Sequence, residues 1–261
     1  MGRASSFCKY SRRRHEIDHP EAAMTATDNA APPGLSQTFA KGIAVLRAFD
    51  EAQSHLTLAE VARRAGLDRA AARRLVLTLA HLGYVRQQGR VFSLTPRVLV
   101  LAGSFLRGHR FGIAVQPVLA AAAARVGEQV SLAMPDGEHA VYVAQAAPAG
   151  GMVSLGLTLG SRVPLGQTAI GQALLAFMDR PPAGAMPRNG LAGVRRAGFA
   201  FADGVFEPGM AGLAVPVGAG GKAALGMSAP SVRLAQGPAR TACLATLRDA
   251  ARALAPVVED L

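Results

Sequence analysis

Residues 67–90, LDRAAARRLVLTLAHLGYVRQQGR, contain the pattern that decides the first part of the fold. Asp68 is a residue type that caps helix N-termini and Gly83 is a typical helix end, so the stretch between them is predicted to be a helix. Three leucines spaced for one helical face are predicted to turn towards a core. They are Leu75, Leu79 and Leu82. The opposite face is left to arginine side chains.

Two further helices are predicted to precede this one. Residues 37–50 place four large apolar side chains at intervals of three and four, which predicts a helix with one buried stripe. They are Phe39, Ile43, Leu46 and Phe49. The second helix is predicted to begin at Thr57, because Glu60 three residues later completes a capping box, and to end at Gly66. The turn of about three residues that follows is the spacing of a helix-turn-helix.

The stretch 84–96, YVRQQGRVFSLTP, has β-favouring residues on both sides of Gln88 and Gly89 and is predicted to form a hairpin. A hairpin directly after the three helices makes residues 36–95 a winged helix-turn-helix domain. Residues 96–110 are predicted to form a linker helix. Its apolar composition favours burial, either against a partner or against the chain's own second domain.

The positive charge of the chain is concentrated in this first part. The whole chain carries a net charge of +11 at pH 7. Residues 36–107 hold eleven basic and four acidic side chains, whereas residues 108–261 hold twelve basic and nine acidic ones. A basic helix-turn-helix is the electrostatic footprint of a protein that binds double-stranded DNA.

We predict that the helix headed by Asp68 enters the major groove of DNA. Arg69 and Arg73 lie one turn apart, and Arg73 is the candidate for reading a guanine, whereas Arg74 is expected to meet a phosphate or an acidic side chain such as Glu60. The alanines at 70–72 let the helix backbone approach the bases, and the hairpin reaches phosphates or the minor groove. The predicted DNA contacts are Arg69, Ala70, Ala71, Arg73, Arg74, Arg86 and Arg90. Taken singly, the arginines also fit an ordinary solvated helix.

Residues 111–261 alternate helical and strand patterns in a way that is typical of an α+β domain. Apolar alternation predicts a hairpin around the turn 135–137, a third strand at 151–159 and a second hairpin around GAGGK at 218–222. Helices are predicted near 115–125, 168–178 and 239–255. We therefore expect an antiparallel sheet covered by helices on one side.

Composition narrows the class of protein. Half of the residues are hydrophobic, and arginine, glycine or proline interrupts the longest apolar runs before bilayer length, so no membrane partner is expected. Cys8 and Cys243 are too few for a disulfide framework or a zinc site, which fits a cytoplasmic protein without metal or cofactor. His109 and His139 stand apart from any nucleophile or acid–base partner, so an enzyme is not favoured.

Residues 1–35 carry basic and polar side chains without a sustained apolar period, so we expect a disordered basic tail. The basic start lacks the apolar core of a signal peptide. Met24 is an alternative translation start.

Several stretches of the chain resemble the IclR family of bacterial transcriptional regulators. In the first half they are TFAKGIAVLRAFDE (38–51), LTLAEVARRAGLDRAAARRLVLTLAHLGYV (56–85) and FSLTPRVLVLAGSFL (92–106). In the second half they are LGSRVPLGQTAIGQALLA (159–176), FEPGMAGLAVPV (206–217) and LGMSAPSVRL (225–234). These stretches are most similar to the branch of PcaR, PcaU and PobR, which controls protocatechuate, 4-hydroxybenzoate and β-ketoadipate catabolism.

The resemblance implies a nucleoid-associated regulator of aromatic-acid catabolism genes that binds promoter DNA as a homodimer or a dimer of dimers. It also implies a GAF-like domain of the antiparallel-sheet type, which binds a small aromatic or dicarboxylic acid effector. By motif, the effector-binding residues would be Thr168, Ala169, Ile170, Gly212, Gly226 and Ser228. Arg162 is a further candidate that fits an ordinary surface arginine equally well. Backbone amides at the helix start near Thr168 would favour an anion, and Arg162 would add a charge-assisted bond.

The chain departs from the family pattern at two places. Gly212 and Gly226 stand where several members have Cys or Ser, which predicts a wider pocket with fewer polar anchors. The connection between Met178 and Phe199 is shorter than usual, and its sequence 179–193 has little helical character.

Two other functions fit parts of the sequence. A nonspecific architectural DNA-binding function would account for the positive net charge of the chain. It would not account for the second domain, in which basic and acidic side chains nearly balance. An enzyme on a GAF-like fold is the less favoured alternative. For a regulator, we expect the effector to shift the sheet and the linker helix and so to change the spacing of two recognition helices.

Overall fold

The computed structural model describes residues 34–50, 53–108, 111–149, 157–182, 188–235 and 237–260. The chain divides into two compact units between Val98 and Leu99. The tail predicted over residues 1–35 lies outside the described residues, apart from Gly34 and Leu35.

Three helices build most of the first unit. They are α1 (Gln37–Arg47), α2 (Leu58–Arg64) and α3 (Arg69–His81). Each begins after a polar cap whose side-chain oxygen accepts a backbone N–H three residues later. The caps are Ser36, Thr57 and Asp68. The predicted capping box is confirmed, because the Glu60 carboxylate in turn accepts the backbone N–H of Thr57 at 2.7 Å.

A small antiparallel sheet completes the first unit. Its strands are β1 (Leu56–Thr57), β2 (Val85–Gln88) and β3 (Val91–Leu94), in the order β1-β3-β2. Strands β2 and β3 form the predicted hairpin, which turns at Gly89 with a φ of +59° that favours glycine. Strand β1 has two residues, too short for an alternation pattern, and was not predicted. The unit is thus a winged helix-turn-helix.

The core of the first unit differs from the stripe predicted for α1. That helix buries Val45, and the core continues through Ala48 and Phe49 just beyond it. Phe39, in the first turn, is 71% exposed, so the predicted stripe is wrong at its N-terminal end. The helix therefore packs mainly through its C-terminal half.

Six antiparallel strands form the sheet of the second unit. They are β4 (Val130–Asp136), β5 (His139–Ala146), β6 (Arg162–Pro164), β7 (Ala200–Asp203), β8 (Met210–Val217) and β9 (Ala223–Pro230), in the order β6-β5-β4-β9-β8-β7. Both predicted hairpins, β4–β5 and β8–β9, are confirmed. The first hairpin turns at Gly137 and Glu138, whereas Pro135 and Asp136 still belong to β4.

Helices cover both faces of this sheet. In chain order, the helical elements after β3 are α4 (Val98–Gly108), a π-helical turn (Phe111–Val115), α5 (Gln116–Val126), α6 (Ala169–Phe177), α7 (Arg188–Ala197), α8 (Ser231–Ala235) and α9 (Gly237–Glu259). One face packs against α5 and α9, and the other packs against α6, which in turn contacts α7. The expectation of one covered side was therefore wrong.

The strands explain why two layers of helices are needed. Leu132 and Ala133 are neighbours in β4, and both are fully buried, but they belong to the two different cores. Successive strand residues point to opposite faces, so both faces of the central strands are apolar and both must be covered.

Two connections also differ from expectation. A third strand was predicted at 151–159, but the described residues 157–159 are not in a strand. The next strand after β5 is β6. Residues 151–156 lie outside the described part. The connection between Met178 and Phe199 contains α7, which leads into β7, so its second half is helical. Two glycines and an asparagine weaken the local helical signal of α7, but Leu191 and Val194 pack on the core beside α6.

The predicted linker helix forms as α4, but none of its described residues is buried. Leu99, Leu101 and Phe105 are exposed apolar side chains. Among the described residues no single helix is long and apolar enough to cross a membrane. One pair, α4 with Gly112–Val126, reaches the required length and composition only jointly and is bent by 62°.

Candidate DNA interface and effector pocket

Helix α3 has one buried and one open face. The buried side chains are Ala72, Val76 and Leu79. Of the predicted leucine stripe, Leu75 is half-buried and Leu82 is 48% exposed, because the helix ends at His81 and Leu82 lies in the cap beyond it. A helix turns by about 100° per residue, which places a second row directly opposite the buried one. That exposed row is Ala70, Arg74, Leu77 and His81.

The position of the open face makes Arg74, rather than Arg73, the central arginine of α3. Arg74 lies at its centre, with Arg73 beside it and Arg69 nearer its edge. None of the three forms a salt bridge with the part of the chain that the structure describes. The Glu60 carboxylate, an expected alternative partner of Arg74, instead accepts hydrogen bonds from the N–H and hydroxyl of Thr57, each at 2.7 Å.

The start of α3 is fixed by its cap. Asp68 Oδ1 accepts the N–H of Ala71 at 2.8 Å, and this bond holds the pKa of Asp68 below its ordinary value. Ala70 is exposed and Ala71 is half-buried, so both lie near the open face. Ala72 is fully buried and faces the core, contrary to its predicted role beside the bases.

The two predicted wing arginines differ in their freedom. Arg86 in β2 donates from Nε to the hydroxyl of Ser93, its register partner in β3, at 3.2 Å. Arg90 is exposed in the turn directly after Gly89. The turn is braced by Gln87, whose side-chain amide donates to the Gly89 carbonyl at 2.9 Å. Arg90 therefore extends from a stiffened hairpin tip.

Two other arginines of this unit have structural partners. Arg64 donates to the carbonyl of Ala48 at 2.9 Å and to the carboxylate of Asp50 at 2.7 Å. Arg97 donates to the carbonyl of Leu82 at 2.7 Å. These bonds satisfy the open ends of α1 and α3, which leave carbonyls without partners inside the helix.

A pocket lies in the second unit between the start of α6 and the sheet. Its empty space, including the open mouth, is about 690 Å³. Its walls come from β4, β5, β7, β8 and β9, and the exposed Glu207 of the loop between β7 and β8 marks its mouth. Six of the seven predicted effector-binding residues line it: Thr168, Ala169, Ile170, Gly212, Gly226 and Ser228.

The start of α6 brings unsatisfied backbone donors to this pocket. Thr168 caps the helix: its hydroxyl donates to the carbonyl of Pro164 and accepts the N–H of Gly171, both at 3.1 Å. The next two amides, of Ala169 and Ile170, donate to no acceptor among the described residues. Buried amides at a helix N-terminus provide a binding place for an anion.

The two glycines opposite α6 do not widen the pocket as predicted. A Cβ at Gly212 would lie 3.0 Å from the Cβ of Ala169, and one at Gly226 would lie 3.3 Å from Cδ1 of Ile170. Both distances are shorter than ordinary carbon–carbon contact. The space that larger residues would fill is therefore occupied by α6 itself, which approaches the sheet closely over these positions.

Polar anchors are present on the other strands of the pocket. Gln129, Ser131 and Tyr142 line it and are each nine-tenths buried, at 8%, 8% and 9% exposure. Their side chains form no hydrogen bond with the described residues. Burial raises the pKa of Tyr142 to about 12, so its hydroxyl stays protonated at neutral pH. Buried polar groups normally have partners, so these three are suited to a bound ligand.

Two family models match the chain. The IclR helix-turn-helix domain matches residues 38–89, and the C-terminal domain of the bacterial transcriptional regulator IclR matches residues 105–186. The chain belongs to the IclR family. The first match contains α3 and the first strand of the wing hairpin, β2, and the second contains β4, β5 and α6.

Individual IclR-type relatives are similar over long stretches. The Pca regulon regulatory protein of Pseudomonas putida is 34% identical over 177 residues, which cover 62% of this chain and 61% of that protein. The p-hydroxybenzoate hydroxylase transcriptional activator of Acinetobacter baylyi is 34% identical over 168 residues, which cover 63% of this chain and 60% of that protein. The chain thus spans about three fifths of the length of these curated relatives.

A solved structure extends the likeness to nearly the whole fold. A crystal structure described as a transcriptional regulator from Rhodococcus sp. RHA1 is 32% identical, with a TM-score of 0.68, and the alignment covers 87% of this chain and 99% of that one. The named relatives are regulators of transcription, and the IclR family is a family of regulators rather than enzymes.

Arg162 is the one predicted effector residue of this IclR-family chain that lies away from the pocket. It forms a salt bridge with Asp136 at 3.0 Å and approaches Nδ1 of His139 at 3.5 Å. Its neighbour Val163 is buried in the core beneath α6, so alternation along β6 directs Arg162 to the opposite face. Arg162 is therefore not among the residues that line the pocket, where its charge-assisted bond was expected.

Sequence reasoning also missed the polar side chains of the pocket. Gln129 and Ser131 alternate with the buried apolar residues Val130 and Leu132, a signal that one face of β4 carries polar groups. That pattern is also typical of a solvated strand, so the second layer of helices was needed to interpret it. Among the described residues, no group of three His, Cys, Asp or Glu side chains is arranged to hold a metal ion.

Proposed function

We propose that this chain is a DNA-binding transcriptional regulator of aromatic-acid catabolism whose affinity for its promoter depends on a small aromatic acid. In this proposal residues 36–95 bind DNA, residues 96–110 link the domains, and residues 111–261 bind the effector and oligomerise. The observation that carries it is the open face of α3, where arginine side chains without salt-bridge partners among the described residues surround the exposed row opposite the core.

DNA binding is supported by the distribution of free and engaged cations. Arg74 at the centre of the open face and Arg73 beside it are placed to reach base edges, where arginine pairs with guanine. Arg69 at the edge and Arg90 at the hairpin tip are placed for phosphates, which fix a protein's register on the duplex. Arg86 is partly engaged with Ser93 and would contribute through its free guanidinium nitrogens.

Effector binding is supported by the chemistry of the pocket. The amides of Ala169 and Ile170 offer a place for one carboxylate, and apart from Glu207 the described lining residues are apolar or neutral. The names of two relatives refer to the Pca regulon and to p-hydroxybenzoate hydroxylase. These names, at 34% identity, support an aromatic acid as the ligand class.

The assembly is proposed to be a homodimer that acts on promoter DNA in the cytoplasm, with dimers of dimers as the higher form. The exposed apolar side chains of α4, among them Leu99 and Phe105, are the surface we assign to this contact. A ligand changes transcription only if it binds two arrangements of such an assembly with different affinity.

Fluorescence anisotropy with the chain's own upstream promoter fragment tests the proposal. We expect tighter binding to this duplex than to a shuffled duplex of equal composition, and a change in affinity when 4-hydroxybenzoate is added. A matched neutral compound, 4-hydroxybenzamide, should change it much less. Equal affinity for both duplexes, unaffected by any aromatic acid, would instead support an architectural DNA-binding protein.

A further inference from the structure

The described lining of the pocket contains an acidic side chain but no basic one. Among the nineteen described residues that line the pocket, Glu207 is the acidic one and none is an arginine, lysine or histidine. Residues 150–156, which precede the lining residue Leu157 in the chain and lie outside the described residues, contain no basic residue either. A bound anion is therefore stabilised in this pocket by dipoles rather than by a cationic side chain.

The helix dipole and the backbone amides at the start of α6 can stabilise one bound carboxylate. The amides of Ala169 and Ile170, which have no acceptor among the described residues, lie at the N-terminus of the nine-residue helix α6. A helix N-terminus carries roughly half a positive charge, which falls off within its first turn. A second carboxylate on the same ligand would have to lie beyond this region.

The mouth of the pocket opposes such a second charge. Glu207 lies in the loop between β7 and β8, is exposed, and forms no ion pair with the residues that the structure describes. No described neighbour therefore neutralises its carboxylate. Like charges disfavour each other, so a second carboxylate that reaches the mouth would meet the negative charge of Glu207.

The floor of the pocket also disfavours a second carboxylate. Gln129, Ser131 and Tyr142 are buried and neutral, and they lack partners among the described residues. Neutral amides and hydroxyls exchange hydrogen bonds with a ring hydroxyl or carbonyl without burying a net charge, whereas a buried carboxylate without a cation is costly.

We propose that this pocket selects a singly charged aromatic acid with a neutral hydrogen-bonding substituent and rejects dicarboxylic acids, with Glu207 as the residue that sets this charge limit. The inference rests on the proposed function, since it names the ligand class for the same pocket. The carboxylate lies at the start of α6, and the neutral substituent lies among the buried polar side chains of β4 and β5.

Isothermal titration calorimetry on the full chain tests this with two probes on the same ring, 4-hydroxybenzoate and terephthalate. They differ in whether the para substituent is a hydroxyl or a second carboxylate. We expect 4-hydroxybenzoate to bind at least about thirtyfold more tightly, since the second carboxylate is both unpaired and repelled. Adipate, a flexible dicarboxylate, should bind as weakly as terephthalate or more weakly.

The variant Glu207→Gln removes the charge and keeps the shape of the side chain. It should tighten terephthalate binding by about tenfold and change 4-hydroxybenzoate binding much less. Glu138→Gln, which removes an exposed carboxylate from the turn between β4 and β5, is the matched control and should leave both affinities unchanged.

The outcomes separate this inference from the proposed function. Equal binding of the two probes, or a discrimination ratio that Glu207→Gln leaves unchanged, overturns the charge limit while effector binding stands. Failure of all the acids to bind overturns the proposed effector pocket and the charge limit with it. The inference is supported if Glu207→Gln tightens the binding of terephthalate, changes 4-hydroxybenzoate binding much less, and Glu138→Gln changes neither.

Discussion

Replacing Gly171 by alanine tests how closely α6 is held against the segment before it. Gly171 lies in the first turn of α6, and a Cβ there would stand 2.5 Å from Cα and 2.7 Å from the carbonyl carbon of Leu165. Ordinary carbon–carbon contact is about 3.5–4.0 Å, so the helix start would have to move by about 1 Å. The obstacle is backbone, which cannot rotate out of the way.

The expected magnitude follows from two opposing effects. Alanine is favoured over glycine inside a helix by about 1 kcal/mol, whereas overpacking a tight site costs about 1–3 kcal/mol. Gly193→Ala in α7 is the matched control, because a Cβ there meets nothing within 4 Å. We expect Gly193→Ala to raise the free energy of unfolding and Gly171→Ala to lower it, with a difference of about 1–3 kcal/mol between them, because the helical gain is common to both and only the overpacking cost differs.

The measurement is urea unfolding followed by circular dichroism, since the chain contains no tryptophan. Binding of 4-hydroxybenzoate should also weaken in Gly171→Ala, because the amides of Ala169 and Ile170 move with the helix start. Equal stability of the two variants would refute the close approach of α6 to Leu165.

Three further outcomes are expected. Arg74→Ala should reduce the preference for promoter over shuffled DNA in anisotropy titrations, with Arg252→Ala as a control of equal charge; equal weakening on both duplexes would count against base contact. Arg90→Ala should lower the slope of log affinity against log salt by about one phosphate contact's worth, and an unchanged slope would exclude the hairpin tip from the phosphate contacts. Arg162→Ala should leave 4-hydroxybenzoate affinity unchanged in calorimetry, because its partner is Asp136 outside the pocket; a large loss would contradict that placement.

Short-range patterns in the sequence determined much of the local structure. The capping box of Thr57 and Glu60, the cap at Asp68 and the hairpin turn at Gly89 were all predicted and are present. Caps and turns depend on residues within about four positions of each other, so the sequence contains the complete interaction. The family resemblance added the start of α6 and the two glycines opposite it.

Tertiary packing decided which side of each element faces what. Helix α3 has enough apolar residues for more than one stripe. Its contacts with the rest of the unit bury Ala72 and Val76 rather than Leu82, so Arg74 lies at the centre of the open face. Likewise β6 could present either side of its alternation to the pocket, and the burial of Val163 under α6 turned Arg162 away. A periodic pattern fixes which residues share a face, whereas the direction of that face depends on neighbours distant in the chain.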